Sequence, residues 1–271
     1  MTSPEGDEVR VSSPELDLLK RDVEGMIRAW EHEVPMMRAV IEQGGRPYEL
    51  LFALVHEYYD RAVSYSDGIW HMLRHGIGVA FFPLMRSLYE AHVALRYLAV
   101  RPDGERLREA QIATAHSWYH PRWQIRQRRK LDVNGTELLR IEENLARIGR
   151  EITPEVMALA EQRESCFSWT GKKMPQLLAE FGLESDYNAT YSPLSNMTHG
   201  HHVLISAHVL GWTLEDYERR AVTARSHLRA VRRLMQDILY LRFSDPEIDS
   251  FSPGDFMEIR YPHIRARVDR P

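Results

Sequence analysis

Cysteine is almost missing from this 271-residue chain. The single Cys166 excludes an internal disulfide and any metal centre built from thiolates. That scarcity suits a reducing compartment, and the expectation is a cytoplasmic protein. Lysine is nearly as rare: Lys20, Lys130, Lys172 and Lys173 stand against thirty-one arginines, a bias that a GC-rich genome produces as readily as selection for bidentate anion contacts. A net charge of −4 gives no global attraction to nucleic acid or anionic lipid, so any such contact has to be local. Long apolar runs are lacking too. The longest, Ile77 to Met85, is about half of what a bilayer span needs, and the opening Met-Thr-Ser-Pro-Glu-Gly-Asp-Glu lacks the basic and apolar regions of a signal peptide. No membrane association is expected.

No stretch alternates with a two-residue period, and no repeat of 20 to 50 residues appears. What is present is helical spacing. Residues 1–12 read as a disordered leader. Ser13-Pro14-Glu15 then supplies a hydroxyl cap, a proline at the first helical position and an acid at the positive end of the dipole. This helix is expected to reach about Glu31, to be interrupted at Pro35, and to stop at Gly44-Gly45-Arg46-Pro47. From Tyr48 to Arg74, apolar residues at Leu51, Leu54, Val55, Tyr58, Ala62, Tyr65, Ile69 and Met72 predict one long amphipathic helix. The segment 79–99 is apolar nearly all round and is expected to be a central helix enclosed by others.

A helix over Glu105–Lys130 with a kink at Pro121 follows, then short helices near Glu137–Arg147, Pro154–Gln162 and Lys173–Phe181. Ser192-Pro193 repeats the hydroxyl-proline start and predicts a helix to about Leu210. The last helix opens at Thr213 and carries the stripe Leu214, Tyr217, Ala221, Ala224, Leu228, Val231, Met235, Ile238. The fold expected is all-α: a single-domain bundle of long antiparallel helices over 13–244 around the central helix, with a loop or tail over 245–271.

Two polar constellations stand out against the apolar background. Arg86 and Glu90 lie four apart, on one face of the most apolar helix, and burying such charges costs several kcal/mol each unless they are paired or contact a ligand. They read either as a structural ion pair, whose Arg86 could not be removed without stranding a buried Glu90, or as part of a pocket. The second constellation is a stripe of Ser195, His199, His202 and Ser206 on the helix expected after Pro193. It faces either solvent or a polar interior.

These residues resemble a known family. Arg86-Ser87-Leu88-Tyr89-Glu90-Ala91 with Tyr97-Leu98, then Trp169 to Leu178, then Tyr187, Tyr191, Ser195 and His199, are similar to the bacterial domain of unknown function 5677 family over roughly 48–240. The resemblance implies a helical bundle that brings Arg86, Glu90 and His199 together, and no established activity. The chain also looks distantly like HEPN-type helical domains, many of them ribonucleases of toxin and phage-defence systems using Arg-x4 to 6-His. Arg86-x5-His92 satisfies that spacing, but six residues rotate about 600° along a helix and leave the side chains roughly 120° apart. Arg86 with His199 across helices is the better pair.

No cofactor is expected. A transition metal is the lesser alternative, with His116, His120, His199, His201 and His202 the pool of ligands. His71 and His75 share the spacing of His116 and His120, but His71 aligns with His56, Asp60 and Asp67 on a solvated row. Glu-x-x-His and His-Glu-x-x-His are absent, as are a Walker loop and a Gly-x-Ser-x-Gly elbow. The segment from Trp118 to Lys130 and the row Arg219, Arg225, Arg229, Arg232, Arg233 have the basic and aromatic character that binds RNA, or are solvated faces.

Three functions follow. The first is a metal-independent endoribonuclease with Arg86, Glu90, Ser195 and His199 as catalytic residues. The second is a non-catalytic helical module for binding or homo-oligomerisation. The third is an enzyme built on a histidine-ligated metal.

Overall fold

The structure is a computed structural model that describes residues 11–128, 135–166, 168–198 and 212–239. Helices α1 (Pro14–Gly44), α2 (Arg46–Arg74), α3 (Phe81–Ala99) and α4 (Asp103–Arg128) come first, with a 3-10 turn over Gly78–Ala80 before α3. Shorter helices follow: α5 (Thr136–Ile148), α6 (Pro154–Gln162), α7 (Met174–Glu180) and the single turn α8 (Glu184–Asp186). A π-helical turn over Tyr187–Tyr191 leads directly into α9 (Ser192–Thr198), and α10 (Leu214–Leu239) is the last described helix. No strand occurs among the described residues. The fold is an all-α helical bundle.

The cap chemistry read from the sequence operates as expected. Leu16 N donates to Ser13 Oγ at 3.3 Å where α1 begins, and Gly45, at a positive φ of 74° that favours glycine, turns the chain into α2. At α10 the Thr213 backbone N and Oγ1 donate to Asp216 Oδ2, both at 3.0 Å, while Asp216 N reaches back to Thr213 Oγ1.

Two expectations change. α1 continues through Pro35 as one 31-residue helix. The proline removes one hydrogen bond, and the helix-favouring residues around it, Glu31 on one side and Met36, Met37, Arg38 and Ala39 on the other, carry the helix past that loss. The α-helix at Ser192-Pro193 does start where expected, but not from a hydroxyl cap: Ser192 is already helical, at φ −60° and ψ −46°, and the chain enters it from the π turn. Widening the turn just ahead of Pro193 gives its ring room against the preceding carbonyls.

The chain divides into two compact units. The first gathers the described parts of Met1–Val34, Glu57–Arg96 and Leu183–Phe243, and the second those of Pro35–His56, Tyr97–Gly182 and Ser244–Pro271. In the first unit, Val11 N donates to Arg74 O at 2.8 Å and Tyr59 Oη to Met26 O at 2.8 Å. Its core takes Leu16, Leu19, Val23 and Met26 from α1, and Tyr59, Ala62, Ile69 and Leu73 from α2. The stripe of α10 from Tyr217 to Ile238 is buried as its spacing predicts. In the second unit α4 contributes Ile112, Ala115 and Tyr119, which share a core with Ile141, Leu145, Val156 and Ala160 of α5 and α6. Arg122 ties that group together. Its guanidinium reaches Glu161 at 2.5 Å, Glu164 at 3.1 Å and Glu142 at 3.9 Å, and stacks over Tyr119 at 4.5 Å.

The apolar helix α3 buries Phe81, Phe82, Met85, Leu88, Tyr89, Val93 and Leu95. It is not enclosed on every side. Pro83, Arg86, Ser87 and Glu90 form a strip along it that reaches solvent. Among the described residues no helix is long and apolar enough to cross a membrane.

Candidate functional site

The strip on α3 is where the polar chemistry of the first unit collects. Arg86 Nε donates to Glu90 Oε1 at 2.9 Å, the i,i+4 pair that the spacing implied. The same carboxylate oxygen accepts from Tyr191 Oη at 2.9 Å, and the Arg86 guanidinium lies 5.6 Å over the Tyr191 ring. Glu90 is therefore the shared acceptor of an arginine from α3 and a tyrosine from the π turn. Burial works against the charge on Arg86, but the hydrogen bond and charge of Glu90 outweigh it and hold its pKa above the usual value. Burial, and after it the Glu90 charge, push the Tyr191 hydroxyl up to about 12, so it is a donor at neutral pH.

The pair is half-buried rather than enclosed, with Arg86 18% and Glu90 32% exposed. Arg86→Ala is therefore expected to cost about 1–2 kcal/mol in urea denaturation, below the 3–5 kcal/mol of an enclosed pair, because Glu90 keeps both water and the Tyr191 hydroxyl. A loss above 3 kcal/mol would show that the carboxylate is shut off from solvent.

Beside this triad lies a group that sequence reasoning did not find. His92 Nδ1 and His227 Nδ1 stand 2.9 Å apart, one donating to the other, and Tyr89 packs edge-on against both rings. Burial, then the neighbouring His227 and Arg96, bring His92 down to about 3. Burial brings His227 down to about 4, although the charge of Asp186 opposes it. Burial and the Asp186 charge raise Tyr89 to about 12. Both imidazoles are neutral at pH 7, which makes them hydrogen-bonding groups rather than proton donors of the imidazolium kind. A signal for His227 existed: it sits three residues after Ala224 and four before Val231, on the buried face of α10. Its partner did not show, since the two lie 135 residues apart.

Ser195 is on α9, four residues after Tyr191, and partly buried. His199, His201 and His202 lie outside the described residues. The two remaining members of the metal pool are in the second unit and are already engaged. His116 Nε2 faces the carbonyls of Arg163 and Cys166 at 3.2 and 3.1 Å. His120 Nδ1 faces the Glu164 carbonyl at 2.8 Å, and its Nε2 meets Gln124 at 2.7 Å. Their rings stack 5.5 Å apart, and among the described residues no three His, Cys, Asp or Glu side chains converge as metal ligands. The basic segments also meet carboxylates. Arg122 and Arg126 face Glu142, Glu161 and Glu164, while Arg225 and Arg229 share Asp22 at 2.7 Å.

A family model matches residues 52–216, the span that carries Arg86, Glu90, Tyr191 and Ser195. The chain belongs to the family of unknown function DUF5677. As a DUF5677 protein it carries the Arg86–Glu90–Tyr191 triad wholly inside the matched span, whereas His227 falls beyond it. Comparisons with curated proteins and with solved structures find no match.

Proposed function

We propose that this chain is a cytoplasmic, metal-independent endoribonuclease of HEPN-like type, serving a defence or toxin system, with Arg86, Glu90, Ser195 and His199 as its reaction centre. One observation supports the reading above the others: Glu90 accepts from both Arg86 and Tyr191. Tyr191 precedes Ser195 by four residues, so the serine shares the side of the helix that the Tyr191–Glu90 contact turns toward Arg86, and His199 follows four residues further on in the sequence. In the reaction, His199 takes the proton of the ribose 2′-hydroxyl or delivers one to the departing 5′-oxygen. Arg86 neutralises the charge that builds on the phosphorane, and Glu90 and Ser195 hold these groups in place. The 2′-oxygen bonds to phosphorus as the bond to the 5′-oxygen breaks, leaving a 2′,3′-cyclic phosphate and a 5′-hydroxyl.

A second reading, a non-catalytic module that binds a partner or forms a homo-oligomer, is favoured by the carboxylates that already face both basic segments. The experiment separates the two. Purified protein should cleave RNA in EDTA to cyclic-phosphate ends, and His199→Ala should abolish cleavage with little change in melting temperature. No cleavage by clean wild-type protein, together with several degrees lost in His199→Ala, would establish the module instead. Inhibition by EDTA with stoichiometric metal would return the histidines to a ligand role.

A further inference from the structure

Two buried donors without an acceptor among the described residues meet at the start of α10. Trp212, just before that helix, packs its indole against Phe81 and Phe82 of α3, with ring centroids 6.1 and 5.9 Å away, and against Tyr217 at 5.3 Å. Arg220 lies over the same indole, its Cζ 3.7 Å from the ring centroid, with Phe81 at 5.7 Å. The indole Nε1 of Trp212 and the guanidinium Nε of Arg220 are both buried, and neither has a hydrogen-bond partner among the described residues.

The nearby carboxylate does not serve them. Arg220 Nη1 donates to the Asp216 backbone oxygen at 3.1 Å and stands 3.7 Å from Asp216 Oδ1, while Asp216 Oδ2 is held by the cap at Thr213. Burial lowers the pKa of Arg220 and the Asp216 charge offsets this only in part. The cation is under-neutralised, and its face is covered by aromatic rings.

We propose that the Nε edge of Arg220 and the indole N–H of Trp212 form a binding site for a small oxyanion, a phosphate or carboxylate group, seated beside Phe81. Arg220 Cζ at 3.7 Å from the indole centroid sets the two donors at one contact, and a guanidinium edge is suited to a two-oxygen anion. A water molecule would satisfy the hydrogen bonds and leave the charge only partly compensated by Asp216; an oxyanion satisfies the donors and adds to the compensation. Buried unsatisfied donors are uncommon enough in folded proteins that two at one contact ask for an acceptor. The site is separate from the proposed ribonuclease centre and does not depend on it.

The test uses the full chain labelled with nitrogen-15 at tryptophan, with Trp212→Phe identifying the Trp212 indole resonance. Sodium phosphate should move that resonance saturably in the low millimolar range, and sodium chloride at equal ionic strength should not. Sodium acetate, titrated in parallel, tells a carboxylate site from a phosphate site. Arg220→Gln should weaken binding about tenfold or more, the loss expected for a charge-assisted contact. The proposal is overturned if phosphate and acetate both leave the resonance in place, as for a buried water only, or if Arg220→Gln binds as the wild type does. Should Arg220→Gln fail to fold by circular dichroism, calorimetry on Trp212→Phe decides: a several-fold weaker phosphate affinity supports the site, and an unchanged one removes it.

Discussion

Between pH 7 and pH 5 the protein is expected to lose about 3–4 kcal/mol of stability through His92 and His227 alone. Both imidazoles titrate near 6.5 in an unfolded chain, and in the folded chain they are depressed to about 3 and about 4. Below pH 6.5 the unfolded state therefore binds protons that the folded state refuses. The contribution is complete above pH 6.5, falls as the pH drops, and levels off only near the folded values. Geometry gives the same direction: the 2.9 Å Nδ1 contact requires one acceptor nitrogen, and two imidazolium rings would have none. Urea midpoints at pH 7, 6 and 5 measure the slope. His227→Phe, which deletes one of the two titrations, should roughly halve it, and a slope equal to that of the wild type would assign the acid sensitivity to other groups.

Leu95→Ala is expected to cost about 3–5 kcal/mol, the largest single-residue effect on stability foreseen here. Leu95 is fully buried in α3, so truncation loses both the transfer energy and the contacts across the void left behind. Leu139→Ala makes the identical chemical change on α5, where the side chain is 62% exposed, and should stay within about 0.5 kcal/mol. Denaturation midpoints of the two variants settle the matter. Similar losses at both positions would mean that the burial of α3 is misjudged.

Where local chemistry alone decides, sequence and structure agree. The Thr213–Asp216 cap, the Ser13 cap, the stop at Gly45 and the buried stripe of α10 each depend on residues within a turn of one another, and each was legible. Leu214 falls off that stripe, 53% exposed, because it is the first residue of its helix and little packs over it. On α2 the period was right but the phase drifted: Tyr59, Ser66 and Leu73 are buried, where Tyr58, Tyr65 and Met72 were expected.

Tertiary pairing was the harder part. Arg86 with Glu90 could be read because both are on one helix, and Tyr191 as their third partner could not. A basic segment likewise gives no sign that Glu161 and Glu164 will be waiting for Arg122. Pro35 misled because proline states the local cost of a helix and says nothing of what the surrounding helix supplies against it.

The π turn over Tyr187–Tyr191 has a bearing on how this protein can change. A π turn holds one more residue than the α turn it replaces, and each residue of a helix advances the side chains by about 100°. Because the extra residue is absorbed within the turn, removing Asn188, Ala189 or Thr190 would restore an ordinary turn and leave Tyr191 and Ser195 close to their present facing, toward the Glu90 carboxylate. The segment thus has a residue to spare, whereas one residue lost from the regular helix between Tyr191 and Ser195 would turn the serine by about 100° and uncouple it from the Tyr191–Glu90 contact.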